Sequence, residues 1–169
     1  GVLKNLPADH QVALLAVDVQ AAALTDGFVA PQGAEIQAAL KQLAMRAPLG
    51  ATDLGGALSS AIKLCSGDAA ASVDYIGDGM SAAGLLSLDQ LELLHQNLRD
   101  HRVVVNCYAV GPNHDLNLLG LLTQQTGGRL FIDDENVDAE TIATDLTTAI
   151  QQGVVYPSSI TVSTVDKNV

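Results

Sequence analysis

The feature that most constrains this chain is a regular alternation between short apolar runs and longer stretches with helical spacing. Val12–Val17 is a continuous apolar run, and Ser72–Gly77 and Val103–Val110 follow further along. Such runs are typical of strands covered on both faces. Between them, apolar residues recur every three or four positions, as on one side of a helix. The alternation predicts an α/β fold, a doubly wound and mainly parallel sheet with helices on both faces.

The helix boundaries are predicted from polar caps and glycine stops. Ser87 and Asp115 each stand before a stretch of helical spacing, and the pair Thr52-Asp53 opens another. Gly127-Gly128 is a typical C-terminal stop. The predicted helices are Glu35–Arg46, Thr52–Gly67, Ser87–Leu98, Asp115–Gly127 and Asp138–Gln152. Two further extended stretches are Ala21–Val29, interrupted at Asp26-Gly27, and Leu130–Ile132.

The chain divides into one domain and a short tail. Of its 169 residues 48% are hydrophobic and 16% are charged, which excludes an intrinsically disordered chain. Residues 1–153 are predicted to form the domain, and residues 154–169 a linker and the first strand of a following β element. Pro157-Ser158-Ser159 is typical of a linker, and Ile160–Val165 alternates apolar and hydroxyl residues, which predicts a half-exposed strand.

The charge and the cysteines exclude several classes of partner and site. Nineteen acidic residues against eight basic ones give a net charge of -11, so the surface repels phosphate backbones and we expect no nucleic-acid partner. No apolar run approaches the roughly 18 residues of a membrane span, and no signal peptide is visible at Gly1–Asp9. Cys65 and Cys107 are too far apart for a CxxC motif, and both are expected to be buried packing residues.

Two predicted loops at carboxyl ends of strands carry residues suited to a metal ion. One loop brings Thr52 to a helix start, and the other places Asp78 directly after a strand, between Gly77 and Gly79. A hydroxyl and a carboxylate are hard oxygen ligands of the kind that Mg²⁺ prefers. The flanking glycines permit a sharp turn and a close approach of a ligand. The alternative is that Thr52 is only a helix cap and Asp78 only a turn residue.

An ordered set of motifs across residues 6–150 resembles a von Willebrand factor A-type (vWA) domain. The motifs are Leu6-Pro7 with Asp9, Thr52-Asp53-Leu54 at a helix start, Asp78-Gly79 after a strand, Val110-Gly111 and Thr126-Gly127-Gly128. The resemblance implies a three-layer αβα fold with a Rossmann-like sheet. It also implies a non-enzymatic adhesion or protein–protein interaction module within a larger, multidomain bacterial protein, with a lean towards a cell-envelope or extracellular location.

The resemblance further implies a metal-ion-dependent adhesion site, or MIDAS. In such a site Thr52 is a direct or water-mediated ligand of Mg²⁺ or Mn²⁺, and Asp78 binds mainly through water. An acidic side chain of a protein partner completes the coordination. The residues expected at the rim of this ligand face are Asp53, Gly79, Ser81 and His114.

The chain departs from the family pattern in two ways. Gly77 stands where the family usually has the threonine of T-D-G, and no D-x-S-x-S motif is present; the nearest segment, Asp18–Ala22, lacks both serines. We therefore expect the chain to begin inside the first helix of the fold, without the first strand. These 169 residues by themselves should then bind metal weakly. The runs Val12–Val17 and Val73–Ile76 should expose apolar strand edges.

Two alternatives stay open. One is a degenerate, metal-free structural vWA module. The other is a metal-dependent phosphatase-like hydrolase, because Gly77–Met80 resembles the G-D-G-M strand end of alkaline phosphatases, which requires two zinc sites. The four histidines show no metal pair at helical spacing, and His95 and His101 are expected to be solvated.

Overall fold

Within the residues that the structure describes, the strands form two separate groups. The structure is a computed structural model that describes residues 1–47, 51–65, 70–155, 159 and 161–162. The strands β1 (Leu15–Val17) and β2 (Ala21–Ala23) form an antiparallel pair, which a bridge between Val12 and Val29 extends. The strands β3 (Ala71–Gly77), β4 (Val103–Ala109) and β5 (Leu130–Ile132) form a parallel sheet in the order β3-β4-β5.

Four of the described helices begin at a polar residue whose side chain caps them, as the sequence indicates. Ser87 forms a capping box with Gln90, and Gly127 ends its helix with φ +77°. In the pair Thr52-Asp53 the cap is Asp53, whose carboxylate accepts a hydrogen bond from the N–H of Gly56. The helices are α1 (Val2–Asn5), α2 (Ala34–Ala44), α3 (Leu54–Leu64), α4 (Leu88–Asp100), α5 (Leu116–Thr126) and α6 (Ala139–Gln151).

The core lies between β4 and the helices α3, α4 and α5. Val103, Val105 and Cys107 of β4 are completely buried, together with leucines of the three helices. Alternate residues of a strand point to opposite faces of a sheet, so the sheet also has a face turned away from this core. The helix α6 packs against β3 and β4 outside this core. The predicted α/β fold, with three layers and helices around a parallel sheet, is therefore confirmed.

Both cysteines are buried, as expected. Burial raises the pKa of the Cys65 thiol, and burial together with the neighbouring Asp74 raises the pKa of Cys107 to about 12. A thiol reacts through its thiolate, so the raised pKa values disfavour a nucleophilic role for either side chain at neutral pH.

The expectation that His95 is solvated is wrong, whereas His101 is exposed as expected. Only 7% of His95 is exposed, because it shares the core-facing side of α4 with Leu91, Leu94 and Leu98. Burial, followed by the charge of Arg99, lowers the pKa of His95, so its ring is neutral at pH 7.

The first predicted strand is shorter than expected, because only Leu15–Val17 of the run Val12–Val17 forms a ladder with β2. The predicted strand Ile160–Val165 lies outside the described residues except for two positions, and the domain boundary at residue 153 stays a prediction. Among the described residues, no helix has both the length and the apolar character that crossing a bilayer requires.

Leu119 tests how much the core contributes to stability. Its side chain is completely buried in α5, so Leu119→Ala should lower the free energy of unfolding by about 2–5 kcal/mol. Leu88 is 85% exposed, and Leu88→Ala is the matched control, with an expected change of about 0.5 kcal/mol or less. Urea unfolding measures both; equal losses would contradict this core.

Asp74 should make stability depend on pH. Burial raises its pKa above the ordinary value of 3.8, although hydrogen bonds from Asn106 and Ser72 act in the opposite direction. The folded chain therefore holds this proton more tightly than the unfolded chain, and stability falls as pH rises from 3.8 through the raised pKa. Asn at this position keeps the acceptor for Asn106 and has no charge to bury.

Asp74→Asn should consequently be more stable than the parent chain at neutral pH, and the difference should shrink as the pH approaches 3.8. Urea unfolding at about pH 4 and about pH 7 measures this difference. Asp145→Asn, at an exposed position of α6, is the control. A neutral-pH loss of stability in Asp74→Asn alone would contradict the prediction.

Candidate functional site

The two loops that carry Thr52 and Asp78 are joined by hydrogen bonds at the start of α3. The N–H of Leu54 donates to Ser81 Oγ at 3.2 Å, and that hydroxyl donates to the carbonyl of Gly84 at 2.7 Å. The N–H of Ala83 donates to the carbonyl of Thr52 at 3.0 Å. The loop after β3 is thus fixed against the N-terminus of α3, which brings the segments of the two predicted metal ligands together.

Two more loops reach the same end of the sheet. The N–H of Asp115 donates to the carbonyl of Asp78 at 2.9 Å, and the Asp115 carboxylate caps α5 by accepting from the N–H of Leu118. On the other side, the N–H of Asp53 donates to the carbonyl of Asp18 at 2.9 Å. Four loops therefore meet where parallel strands end, the usual position of a ligand site in this type of sheet.

Thr52 and Asp78 each keep an oxygen that no protein group engages within the described part of the chain. The Thr52 hydroxyl makes no hydrogen bond there, because only its backbone carbonyl is used. Asp78 Oδ1 accepts from the N–H of Met80 at 2.9 Å, whereas Oδ2 has no partner among the described residues. Both residues are half-buried. A hydroxyl and a carboxylate oxygen fit the ligand chemistry of Mg²⁺, and water has to supply the remaining ligands.

The predicted rim residues have different surroundings. The side chains of Asp53 and Ser81 are engaged in holding the start of α3 and its neighbouring loop. Gly79 is buried with φ +74°, and a Cβ atom there would lie 2.7 Å from the Leu119 side chain, so this position needs glycine for its turn and for packing. His114 is half-buried, and its Nε2 atom is shielded from solvent with no hydrogen-bond partner in the described residues.

Tyr75 is a site residue that the sequence reasoning missed. Its hydroxyl accepts a hydrogen bond from the N–H of Gly79 at 3.2 Å, and burial raises the pKa of the phenol. A Cβ atom at Gly77 would overlap this hydroxyl. The tyrosine therefore takes the space beside Gly77, which accounts for glycine where the family usually has threonine. The sequence feature that could have indicated this contact is a tyrosine two residues before the glycine that replaces the usual threonine.

Asp18, the nearest counterpart of the first D-x-S-x-S residue, is already paired. Its carboxylate accepts from the N–H of Gln20 at 3.2 Å and from the Arg46 guanidinium at 2.9 Å. These bonds, with the Gln20 N–H the stronger influence, lower the pKa of Asp18. The carboxylate is therefore held by groups of the protein itself.

A groove of about 370 Å³ lies beside the site, between α3 and α4. Gly55, Gly56 and Ser59 line it on α3, and Leu85 and Leu93 contribute from the loop and helix opposite. Both leucines are largely exposed. In the described residues, no three His, Cys, Asp or Glu side chains are grouped to hold a metal ion, so nothing here supports the two-zinc arrangement of the hydrolase alternative.

Comparisons with known proteins agree with this architecture. The sequence profile of the von Willebrand factor type A domain matches residues 2–132. A von Willebrand factor type A structure from Catenulispora acidiphila superposes with a TM-score of 0.73 at 16% identity, covering 90% of this chain and 35% of that one. The chain therefore spans about a third of that protein's length. No curated protein matches the chain.

Two further solved structures share the fold at low sequence identity. An aerotolerance-related membrane protein from Bacteroides fragilis gives a TM-score of 0.66 at 13% identity, covering 90% of this chain and 82% of that chain. The human COPII-coat protein Sec24c gives 0.65 at 12% identity, covering 89% and 28%. At such identities these likenesses establish the architecture alone.

The hydroxyl of Ser81 should stabilise the arrangement of the site loops. Ser81→Ala leaves the N–H of Leu54 and the carbonyl of Gly84 without this partner, and should lower the free energy of unfolding by about 1 kcal/mol. Amide exchange at Ala83, which bonds to Thr52, should quicken as the loop loosens. The control is Ser60→Ala, whose hydroxyl bonds only within α3; the same acceleration in both variants would contradict this role.

Proposed function

Because this chain belongs to the von Willebrand factor type A domain family, we propose that it binds a protein partner through a divalent cation, Mg²⁺ or Mn²⁺, held by Thr52 and Asp78. Domains of this family are generally non-enzymatic protein-interaction modules. The observation that carries the proposal is the pair of uncommitted oxygens on two loops that two hydrogen bonds hold together, Leu54 N–H to Ser81 Oγ and Ala83 N–H to the Thr52 carbonyl. The group recognised on the partner is an acidic side chain.

The net charge of the chain supports a bound cation at this face. The net charge is -11, and Asp18, Asp53, Asp78 and Asp115 all lie on the loops that meet at this end of the sheet. Such a face by itself repels a carboxylate. A bound divalent cation supplies the positive charge that attracts an acidic side chain. The protein's part is to hold the Thr52 hydroxyl and the Asp78 carboxylate in place.

The hydrogen bonds of Asp78 orient its carboxylate. Oδ1 is turned towards the N–H of Met80, and the Asp78 carbonyl is fixed by the N–H of Asp115. Thr52 is held through its own carbonyl, which leaves its hydroxyl available. The loops are therefore arranged before a ligand arrives, which reduces the entropy lost on binding.

The second candidate is a metal-free interaction module. The observation that favours it is the Asp18–Arg46 ion pair, which already neutralises a carboxylate beside Thr52-Asp53. A partner would then use the exposed leucines of the neighbouring groove, among them Leu85 at 87% and Leu93 at 59% exposure.

We also propose an envelope or extracellular location. One structure of the same fold is described as a membrane protein.

Titration with Mn²⁺ and Mg²⁺ tests the cation site directly. We expect weak, saturable binding, with a dissociation constant on the order of 1 mM because the protein supplies few ligands. Paramagnetic Mn²⁺ should broaden the NMR signals of Thr52, Asp78 and Gly79 before those of α6. Thr52→Ala and Asp78→Asn should both abolish binding while leaving the fold intact, because Asn still accepts from Met80.

Asp89→Asn is the matched control, since this exposed carboxylate lies on α4. Metal binding that survives both site variants, or broadening spread evenly over acidic residues, would refute the site. No saturable binding in a folded chain would favour the metal-free module. Zinc-dependent hydrolysis of a phosphomonoester, lost in Asp78→Asn, would instead indicate the enzyme alternative.

A further inference from the structure

The groove between α3 and α4 combines small residues on one wall with exposed leucines on the other. Gly55, Gly56 and Ser59 lie along α3, and Leu85 and Leu93 stand opposite, 87% and 59% exposed. The glycines let an approaching chain come close to the helix backbone. The volume of about 370 Å³ is at the lower end of the roughly 300–1,000 Å³ of ligand pockets, so the groove suits a few side chains and not a large molecule.

The polar groups of the groove walls are already used within the protein. Ser59 Oγ donates to the carbonyl of Gly55 at 2.8 Å, and Gln90 Oε1 accepts from the N–H of Ser87 at 2.9 Å. Beyond their first turns, the backbone groups of α3 and α4 are paired inside the two helices. The walls therefore offer no strand edge to an extended peptide. A helix pairs its own backbone groups and binds through side chains, so it is the segment that suits this groove.

One end of the groove is acidic. Asp53 lines it at the start of α3. Asp89 is exposed in the first turn of α4, four residues before Leu93, and therefore lies on the same side of that helix. The described residues that line the groove include no lysine, arginine or histidine. This end consequently attracts a lysine or arginine side chain of a partner.

The two helices begin at this same acidic end. Leu86 stands next to Ser87, the cap of α4, and packs against the first turn of α3, since a Cβ atom at Gly55 would lie 2.6 Å from the Leu86 side chain. The positive ends of two helix dipoles therefore meet here. A partner helix is favoured with its own C-terminal, negative end at this place. Basic residues in its last turn stabilise that helix and also face the acidic end of the groove.

We propose that the groove between α3 and α4 binds an amphipathic helix of a partner protein. Its apolar side chains, spaced i, i+3, i+4 and i+7, contact Leu85 and Leu93 above the glycines of α3. Lysine or arginine in its last turn lies beside Asp53 and Asp89, so the helix runs antiparallel to α3 and α4. The proposal rests on the second candidate function, for which it names the class of partner, and it holds with or without a bound cation.

The test titrates residues 1–169, in the presence of EDTA, with a synthetic helical peptide that carries leucines on one side and lysines in its last turn. One control peptide has the lysines in its first turn, and another has the leucines spread around the helix. A lactam staple in each keeps the helix contents equal. We expect saturable binding of the first peptide by calorimetry, about fivefold weaker binding of the second and about tenfold weaker binding of the third.

Leu93→Ala tests the apolar contact. The side chain is exposed, so its removal should leave the fold intact and weaken peptide binding about tenfold. Leu88→Ala is the matched control, because Leu88 is 85% exposed and does not line the groove; it should change the affinity less than about twofold. Equal losses in both variants would overturn the proposed position of the helix.

Asp89→Asn tests the direction of the helix. It should weaken binding of the peptide with lysines in its last turn about threefold, whereas Asp145→Asn, on α6, should not. A nitroxide on the lysine end of the peptide should broaden the amide signals of Gly55 and Gly84 more than that of Asn97, at the other end of the groove. The reverse gradient would overturn the antiparallel arrangement.

The peptide and metal titrations fail separately. Thr52→Ala should leave peptide binding unchanged, and Leu93→Ala should leave the metal titration unchanged. Equal binding of the three peptides would mean attraction to an acidic surface of net charge -11 and would overturn the groove as the site. The absence of saturable binding would overturn it as well. Peptide binding that weakens as the chain dimerises in sedimentation would identify a second copy as the occupant in place of a partner helix.

Discussion

The rest of the structure depends on the burial of one strand, β4, and on one amide within it. Asn106 is almost completely buried; its Nδ2 donates to Asp74 on β3, and its Oδ1 accepts from the N–H of Arg129 at the entrance to β5. A single side chain thus links all three strands of the parallel sheet. An unpaired amide at this depth would be unfavourable, so the pairing also fixes the register that aligns the carboxyl ends of the strands.

That register determines where the candidate site forms. Gly128 lies so close to the carbonyl of Val105 that no side chain fits there, and this contact sets the approach of β5 to β4. At the other edge, β3 ends beside α3, and Leu119 of α5 packs against Gly79. The site therefore rests on backbone-to-loop hydrogen bonds above a rigid core, which is how a rigid scaffold presents binding loops.

Local signals predicted most of the fold. Ser87 and Asp115 cap their helices as the sequence indicates, and Gly127 ends α5, because capping is decided within a few neighbouring residues. The strands β3 and β4 could be predicted from apolar runs in the sequence, because strands covered on both faces are apolar at successive positions. In the described residues the strands form two groups, and the expectation that Val12–Val17 and Val73–Ile76 expose apolar edges stays a prediction.

What the sequence did not predict depends on contacts between distant residues. The pairing of Asp18 with Arg46 joins positions 28 residues apart, and the burial of His95 depends on which side of α4 meets the core. The place of Tyr75 beside Gly77 follows from a side chain lying along its own strand, which periodicity does not reveal. Asp53, and not Thr52, caps α3, and helical spacing alone does not resolve a difference of one residue in the start of a helix.

The two buried thiols have a practical consequence. The chain contains two cysteines, and both are buried with a raised pKa, so each offers less thiolate to a maleimide or a spin-label reagent at neutral pH than an exposed cysteine does. A cysteine introduced on an exposed loop would then be modified selectively in the native background. Distance measurements by fluorescence or electron spin resonance could therefore use such an introduced cysteine in the presence of both native ones.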